Sequence, residues 1–180
     1  MEIRLQKLQK NPVFKEAMKE LGFKKNARDE FYRFSGEAKQ WIGFGRCHHG
    51  EPGVTYYNGS FMWKYPAVSE IVDSIFKVTN EFVIDPVIGN HIGYAMPQNT
   101  FVEWRIARDS SEEYLTQLID TIVDAIKKYA LPIMDKYVCL STFIDDVRYM
   151  DVPKCIYYDK RIVSFVEEHH LINPIEKELL

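Results

Sequence analysis

The sequence predicts a single-domain α+β fold: a twisted, mainly antiparallel sheet with helices packed mostly on one face and a helical C-terminal extension. Segments rich in aromatic and β-branched residues, punctuated by Gly, Ser and Pro, follow one another over residues 29–65. Segments with helical hydrophobic periods lie before and after them. The strict strand–helix alternation of a parallel, doubly wound sheet is missing, and 180 residues suit one core.

The first element predicted is a helix over residues 12–21. Asn11 can cap its start, Pro12 suits its first turn, and Gly22 ends it. Its apolar residues fall on one side, as expected for a helix that lies on a sheet. These residues are Phe14, Met18 and Leu21.

Three antiparallel strands are predicted next, followed by a helix over residues 67–79 and two further strands. The helix has a single apolar stripe, and the sheet is expected to contain about five strands. The face that receives the helices is expected to carry Phe61, Trp63, Val102 and Trp104. The strand segments are 29–36, 39–49, 53–65, 87–96 and 100–107.

The long helix over residues 111–130 has the strongest sequence pattern. Ser110 and Glu113 have the spacing of a capping box, and apolar residues then recur at helical intervals. Pro132 is expected to end or kink this helix. The remaining residues predict short helices around 131–138, 141–150 and 159–172. We therefore divide the single domain into a core of residues 1–140 and a helical C-terminal extension of residues 141–180.

Several of these segments carry a resemblance to a known family. They are "ELGFKK", the aromatic strand "DEFYRF", the central "TFVEWRIA" and the later "YALPIMDKY". In their order they resemble an uncharacterised bacterial family catalogued as domain of unknown function 4304, over roughly residues 12–140. The resemblance implies a compact α+β domain. It supplies no catalytic residue.

Charge and cysteine usage limit the possible partners. Residues 1–28 carry eight Lys and Arg against three Asp and Glu, whereas the rest carries fifteen against twenty-three. Neither a strongly basic face nor a nucleic-acid motif is evident, so we expect no nucleic-acid partner. Three cysteines without a CxxC pair indicate reduced thiols. No run of apolar residues has the length of a signal peptide or membrane span, which predicts a cytoplasmic protein without a membrane partner.

The stretch "FGRCHHGEPG" raises the question of a metal site. On a strand, Cys47 and His49 share one side, while Arg46 and His48 share the other. A fold could gather Cys47, His49 and His91, but no paired zinc-ligand spacing such as CxxC or HxxxH supports this. We therefore expect no metal and no cofactor, and we expect the histidine pairs at 48–49 and 169–170 to face solvent.

Two classes of function fit the sequence. The first is a binding or interaction module, such as an immunity-type or accessory protein, whose protein or small-molecule partner and oligomeric state the sequence leaves open. The second is a small enzyme with a site assembled from distant residues. Since the common catalytic motifs are missing, we favour the first. The residues of the enzyme alternative are Cys47, His49, His91, Glu103 and Arg105.

The binding surface is expected on the open side of the sheet and its flanking loops, where rings and charged groups alternate. Gly43 and Gly45 leave space beside Trp41, or they permit sheet curvature. Arg46 and Trp41 should point to opposite sides unless a bulge near these glycines shifts the register. The candidate binding residues are Trp41, Arg46, His91, Tyr94, Glu103 and Arg105.

Overall fold

A computed structural model describes residues 8–172 of the chain. Its six strands are β1 (Lys24–Lys25), β2 (Phe31–Ser35), β3 (Ala38–Cys47), β4 (Val54–Lys64), β5 (Ile88–His91) and β6 (Trp104–Ala107). Its α-helices are α1 (Pro12–Glu20), α2 (Pro66–Thr79), α3 (Ile92–Ala95), α4 (Glu112–Ala125), α5 (Leu131–Lys136), α6 (Leu140–Tyr149) and α7 (Ile162–Glu168). A 3₁₀ turn at Leu8–Lys10 precedes them.

All strand pairs in the sheet are antiparallel, which confirms the predicted fold class. The strands lie in the order β1-β2-β3-β4, and both β5 and β6 pair with the remaining edge of β4. The β3–β4 ladder runs in one unbroken register from the pair Lys39 and Lys64 to the pair Cys47 and Tyr56. No bulge therefore shifts the register at Gly43 or Gly45.

The sheet has one covered face and one accessible face. Along β4, Tyr57, Phe61 and Trp63 are buried against the helices, and the alternate residues Asn58, Ser60 and Met62 are partly exposed. This alternation follows from the two-residue period of a strand. We call the partly exposed side the accessible face. It carries Trp41, Cys47, Tyr56, Ser60, Met62 and Arg105.

Aromatic rings form much of the core between the sheet and the helices. Trp63 stacks on Tyr137 with ring centroids 5.5 Å apart, and Phe143 meets both rings edge to face. Such contacts bury a large apolar area per side chain, and edge-to-face pairs add a further favourable term. The sheet and the C-terminal helices are thereby joined in one core.

The start of α1 is formed as its sequence predicts. The side chain of Asn11 accepts hydrogen bonds from the backbone N–H groups of Val13 and Phe14. Phe14 and Met18 are fully buried, whereas Leu21 is only partly covered. The helix therefore packs its predicted apolar face on the covered side of the sheet.

The long helix begins one residue later than the capping-box prediction. Ser111, not Ser110, caps α4 by accepting a hydrogen bond from the N–H of Tyr114, and the Ser110 hydroxyl accepts one from Ala107. At Pro132 the helix continues into α5 through a π-helical turn over Ile126–Ala130. Since proline has no N–H to donate, the regular hydrogen-bond ladder cannot pass position 132 unchanged.

Two predicted strands are shorter than expected. The segment 87–96 is extended only over Ile88–His91 and then forms α3, and the segment 100–107 is extended only from Trp104. Gly93 of α3 lies so close to the backbone of Thr100 that a side chain would not fit. This close contact holds the connection between β5 and β6 as a compact loop instead of a hairpin. Val102 consequently lies outside β6.

The helical C-terminal extension is present and docks on the core. Helix α7 buries Ile162, Phe165 and Val166. Arg148 of α6 forms an ion pair with Glu167 of α7, so the two helices are also linked at their surface. The three short helices predicted after residue 130 are confirmed at α5, α6 and α7.

Candidate functional site

The histidine pair at 48–49 lies in the tight turn between β3 and β4. His49 and Gly50 both have positive φ values, 39° and 76°, and the N–H of Glu51 bonds to the carbonyl of His48. Positive φ at both central positions is the pattern of a type I′ hairpin turn. This turn brings the His49 ring back towards the end of β3.

Glu103 meets this turn from the other side of β4. It directly precedes β6, and because Trp104 is buried, the strand alternation directs Glu103 to the accessible face. Its Oε1 lies 2.8 Å from Sγ of Cys47 and its Oε2 lies 2.7 Å from Nε2 of His49. The Sγ and Nε2 atoms are 3.2 Å apart. We call Cys47, His49 and Glu103 the Cys47 cluster.

A polar rim borders the Cys47 cluster. The ring of Tyr56 packs edge to face against His49, with centroids 4.8 Å apart. The Tyr56 hydroxyl donates to Glu51 at 2.5 Å, and Nη2 of Arg105 lies 3.6 Å from the same carboxylate. These contacts restrict the His49 ring and place one cation beside the cluster.

The protonation pattern of the Cys47 cluster is asymmetric. The hydrogen bond to Glu103 raises the pKa of the Cys47 thiol. The hydrogen bonds that Glu103 accepts from Cys47 and His49 lower the pKa of its carboxyl group. The cluster therefore consists of a thiol and an imidazole that both donate to one carboxylate.

This geometry does not form a nucleophile–histidine–acid relay. Such a relay uses the two different nitrogens of the imidazole, one towards the nucleophile and one towards the acid. Here Nε2 of His49 is close to both Cys47 and Glu103. The raised pKa of Cys47 also disfavours the thiolate that nucleophilic catalysis requires. What the arrangement does provide is three ligand atoms of different types around one point.

The predicted binding residues divide between the two faces of the sheet. Trp41, His91, Glu103 and Arg105 lie on the accessible face. Arg46 does not: it is paired in register with Tyr57, whose side chain is buried, and therefore lies on the covered side at an exposed edge. Its expected place beside Trp41 is wrong because the β3–β4 ladder has no bulge.

His91 and Tyr94 form a separate group farther along the accessible face. Nδ1 of His91 lies 3.1 Å from the Ser60 hydroxyl, and the rings of His91 and Tyr94 are 6.3 Å apart. Ser60 is four residues from Tyr56 along β4, which corresponds to roughly 13 Å. His91 is therefore not a member of the Cys47 cluster, and the possible grouping of Cys47, His49 and His91 is not formed.

The two glycines of β3 have different surroundings. A Cβ at Gly45 would lie 2.6 Å from Oδ1 of Asn58, so this glycine leaves room for the asparagine side chain. A Cβ at Gly43 would make only an ordinary contact with Met62 at 3.7 Å. Gly43 thus marks a shallow, side-chain-free position on the accessible face, between Trp41 and Ser60.

Strand alternation predicted that Cys47 and His49 would share one side. The two side chains do meet, but through the turn after β3 and not along the strand, and Glu103 joins them from 54 residues beyond His49. Of the histidine pairs, His48, His49 and His170 are exposed, whereas His169 is partly buried against the ring of Phe165. The expectation that both pairs face solvent is therefore wrong for His169.

Comparison of the chain with family models, with curated proteins and with solved structures gives no match. The resemblance noted from the sequence stays a prediction. Within residues 8–172, no helix combines the length and apolar character needed to cross a bilayer.

Proposed function

We propose that the protein is a binding module that recognises a protein partner through the accessible face of its sheet. The observation that carries this proposal is the mixed composition of that face. Partly exposed rings lie at one end, and the ionic groups around Arg105 lie at the other. Aromatic residues and arginine are enriched at the energetic centres of protein interfaces.

The aromatic end supplies possible anchors. Tyr32, Trp41 and Met62 are neighbours across β2, β3 and β4. Phe34, 65% exposed, packs edge to face on Tyr32 with ring centroids 6.3 Å apart. A partner that covers these rings gains apolar burial that the isolated chain lacks.

The ionic end supplies specificity. The side chain of Arg105 is 52% exposed, and its ion pair with Glu51 is long, at 3.6 Å. A carboxylate on a partner can therefore compete for Arg105 without breaking a close salt bridge. Rings and charges together span roughly 20 Å between Trp41 and Cys47, which is the scale of a protein contact more than of a small ligand.

We extend this proposal to an immunity-type or accessory role in the cytoplasm. The resemblance to domain of unknown function 4304 is part of the same proposal. The enzyme alternative is favoured by one observation, the convergence of Cys47, His49 and Glu103. It is weakened because the pKa of the Cys47 thiol is raised and because one nitrogen of His49, Nε2, contacts both Cys47 and Glu103. We therefore keep it as the second candidate.

The test compares partner capture by two double variants. The first, Trp41→Ala with Arg105→Ala, removes one ring and one cation from the accessible face. The matched control, Tyr149→Ala with Arg46→Ala, removes an exposed ring of α6 and an exposed cation from the covered side. Both are used as bait in lysate of the native host, in the presence of a chelator, after their thermal unfolding has been shown to match that of the wild type.

We expect the first double variant to lose the proteins that the wild type and the control capture in common. Equal recovery of the same proteins by all three baits would show that the accessible face is not the recognition surface. Recovery lost only with the control variant would place the surface on the other side of the sheet.

A further inference from the structure

The Cys47 cluster brings together the three side-chain types that zinc prefers. A thiol sulfur, an imidazole nitrogen and a carboxylate oxygen each direct one potential ligand atom to a common region, and these atoms all lie within 4.8 Å of one another. Bond lengths to zinc of about 2.3 Å for sulfur and about 2.0 Å for nitrogen and oxygen separate the ligand atoms of a tetrahedral site by roughly 3.3–3.6 Å. The observed separations are 2.8 Å from Sγ to Oε1, 2.7 Å from Nε2 to Oε2 and 3.2 Å from Sγ to Nε2, each within an ångström of these values, and Glu103 meets the other two ligands through its two different oxygens.

We infer that Cys47 Sγ, His49 Nε2 and the Glu103 carboxylate form a binding site for one divalent metal ion of the zinc class. The site goes beyond the proposed recognition function and does not depend on it. Its ligands come from the end of β3, the hairpin turn and the residue before β6, so it forms only when the fold is complete.

The hydrogen bonds of the metal-free cluster can be exchanged for coordination bonds with the protons balanced. The Cys47 thiol releases its proton to solvent and the resulting thiolate binds the metal through sulfur. The Nε2 proton that His49 donates to Glu103 moves to Nδ1 by exchange with solvent, so that Nε2 offers its lone pair to the metal and the ring keeps one proton. Glu103, which accepts two hydrogen bonds in the metal-free state, becomes an oxygen ligand. One thiol proton is therefore released for each metal ion bound.

The ligand set selects the kind of metal. Magnesium and calcium prefer cages of oxygen ligands, whereas a thiolate together with an imidazole favours zinc and its neighbours in the first transition row. The three protein ligands leave a fourth tetrahedral position for water or another ligand, as in exchangeable zinc sites.

The surroundings allow a metal to enter and hold its ligands in place. The side chain of His49 is 52% exposed and that of Glu103 is 21% exposed, so the cluster is open to solvent. Tyr56 packs against the His49 ring, and Glu51 holds the Tyr56 hydroxyl. Contacts of this kind fix the orientation of a ligand and contribute to metal affinity.

The experiment titrates the untagged full-length chain, freed of metal with a chelator and kept reduced, with Zn²⁺ by isothermal calorimetry. A parallel titration with Co²⁺ follows the sulfur-to-cobalt charge-transfer absorption, which appears only when a cysteine binds the ion. Two ligand variants are compared, Cys47→Ser and Glu103→Gln. Their matched controls are Cys139→Ser and Glu113→Gln, which change the same residue types elsewhere in the fold.

We expect one Zn²⁺ per chain, with affinity reduced at least about tenfold by each ligand variant and changed less than about twofold by each control. The charge-transfer band should be lost in Cys47→Ser and kept in Cys139→Ser. Circular dichroism and thermal unfolding without metal identify any variant that fails to fold, and in that case His49→Ala with its control His170→Ala replaces it.

Three results would overturn the inference: no stoichiometric binding, binding that the ligand variants do not weaken, or a charge-transfer band that persists in Cys47→Ser. Since the partner capture described above is performed with a chelator present, its outcome is separate. Loss of metal binding leaves the recognition proposal intact, and loss of partner capture leaves the metal site intact.

Discussion

Arg33 on β2 forms an ion pair with Asp135 on α5, 102 residues later in the chain. The same guanidinium donates to the side chain of Gln40 at 2.8 Å and to the carbonyl of Leu21 at 3.2 Å. The guanidinium carbon, Cζ, also lies 4.8 Å from the centre of the Phe23 ring. One side chain thus connects the end of α1, two strands and α5.

We expect Arg33→Ala to lower the free energy of unfolding by about 2 kcal/mol, because several polar groups lose their partner at a mostly covered position. Arg33→Lys should recover less than half of this, since an ammonium cannot match the planar, branched donor geometry. Urea unfolding followed by circular dichroism measures both. Arg46→Ala, at an exposed edge, is the control and should stay within about 0.5 kcal/mol of the wild type. If Arg33→Lys is as stable as the wild type, the planar geometry of the guanidinium does not contribute to stability.

Gly89 should not tolerate a side chain. Its φ is 146°, and a Cβ there would clash with the carbonyl oxygen of Phe61 on the neighbouring strand. Gly50 also has a positive φ, 76°, but nothing lies within 4 Å of its Cβ position. We expect Gly50→Ala to cost about 1 kcal/mol from backbone strain alone and Gly89→Ala to cost clearly more. Similar unfolding midpoints for the two variants would show that the sheet yields easily at Gly89.

Removing Glu103 should make Cys47 more reactive. Since the hydrogen bond to Glu103 is the largest cause of the raised pKa of Cys47, Glu103→Ala should lower this pKa and increase the thiolate fraction near neutral pH. The measurement is the rate of alkylation by iodoacetamide, as a function of pH, in a Cys139→Ser, Cys155→Ser background. Glu113→Ala is the control. An unchanged rate profile would mean that Glu103 does not hold the thiol proton.

Asp146 should contribute to the acid sensitivity of the fold. Its carboxylate forms an ion pair with Lys136 at 2.5 Å and accepts a hydrogen bond from the Tyr137 hydroxyl at 2.8 Å. The hydrogen bond from Lys136 is the main cause of its lowered pKa. A carboxyl group with a lowered pKa in the folded state stabilises the fold fully above its ordinary pKa of about 4. This contribution is lost as the pH falls through the lower, folded-state value.

Asp146→Asn should therefore be less stable than the wild type near pH 7, by about 1 kcal/mol, and the difference should shrink as the pH falls below about 4. Urea unfolding at a series of pH values measures this convergence. The matched control is Asp73→Asn on an exposed part of α2. A difference that stays constant down to acidic pH would show that the Asp146 charge does not contribute.

The local elements were predictable from the sequence because their signals are local. Asn11 and Pro12 begin α1 as expected, and alternating residues from Trp41 to Cys47 correctly define the two sides of β3. The change from strand to helix after His91 was not predictable, because it depends on the contact of Gly93 with a later segment. Choosing Ser110 over Ser111 as the cap was a one-residue error in a boundary that local spacing leaves ambiguous.

The candidate site was predictable as a set of residues but not as a geometry. Cys47, His49, Glu103 and Arg105 were already grouped from their chemistry in the enzyme alternative. Their meeting depends on the register that places Arg105 opposite Tyr56, a long-range pairing that spacing along the chain does not encode. The same lack of long-range information left His91 in the group, although it lies farther along the face beside Ser60.

The division of one β4 edge between two strands has a kinetic consequence. β5 pairs with Ser60–Trp63 and β6 with Val54–Tyr57, so Asn58 and Gly59 separate the two ladders. Among the described strands, β6 pairs with β4 alone, and it has only four residues. Its amides should therefore exchange with deuterium sooner than those of the β3–β4 ladder. Each opening of β6 would carry Glu103 away from Cys47 and His49, so anything held between these three side chains should slow that exchange.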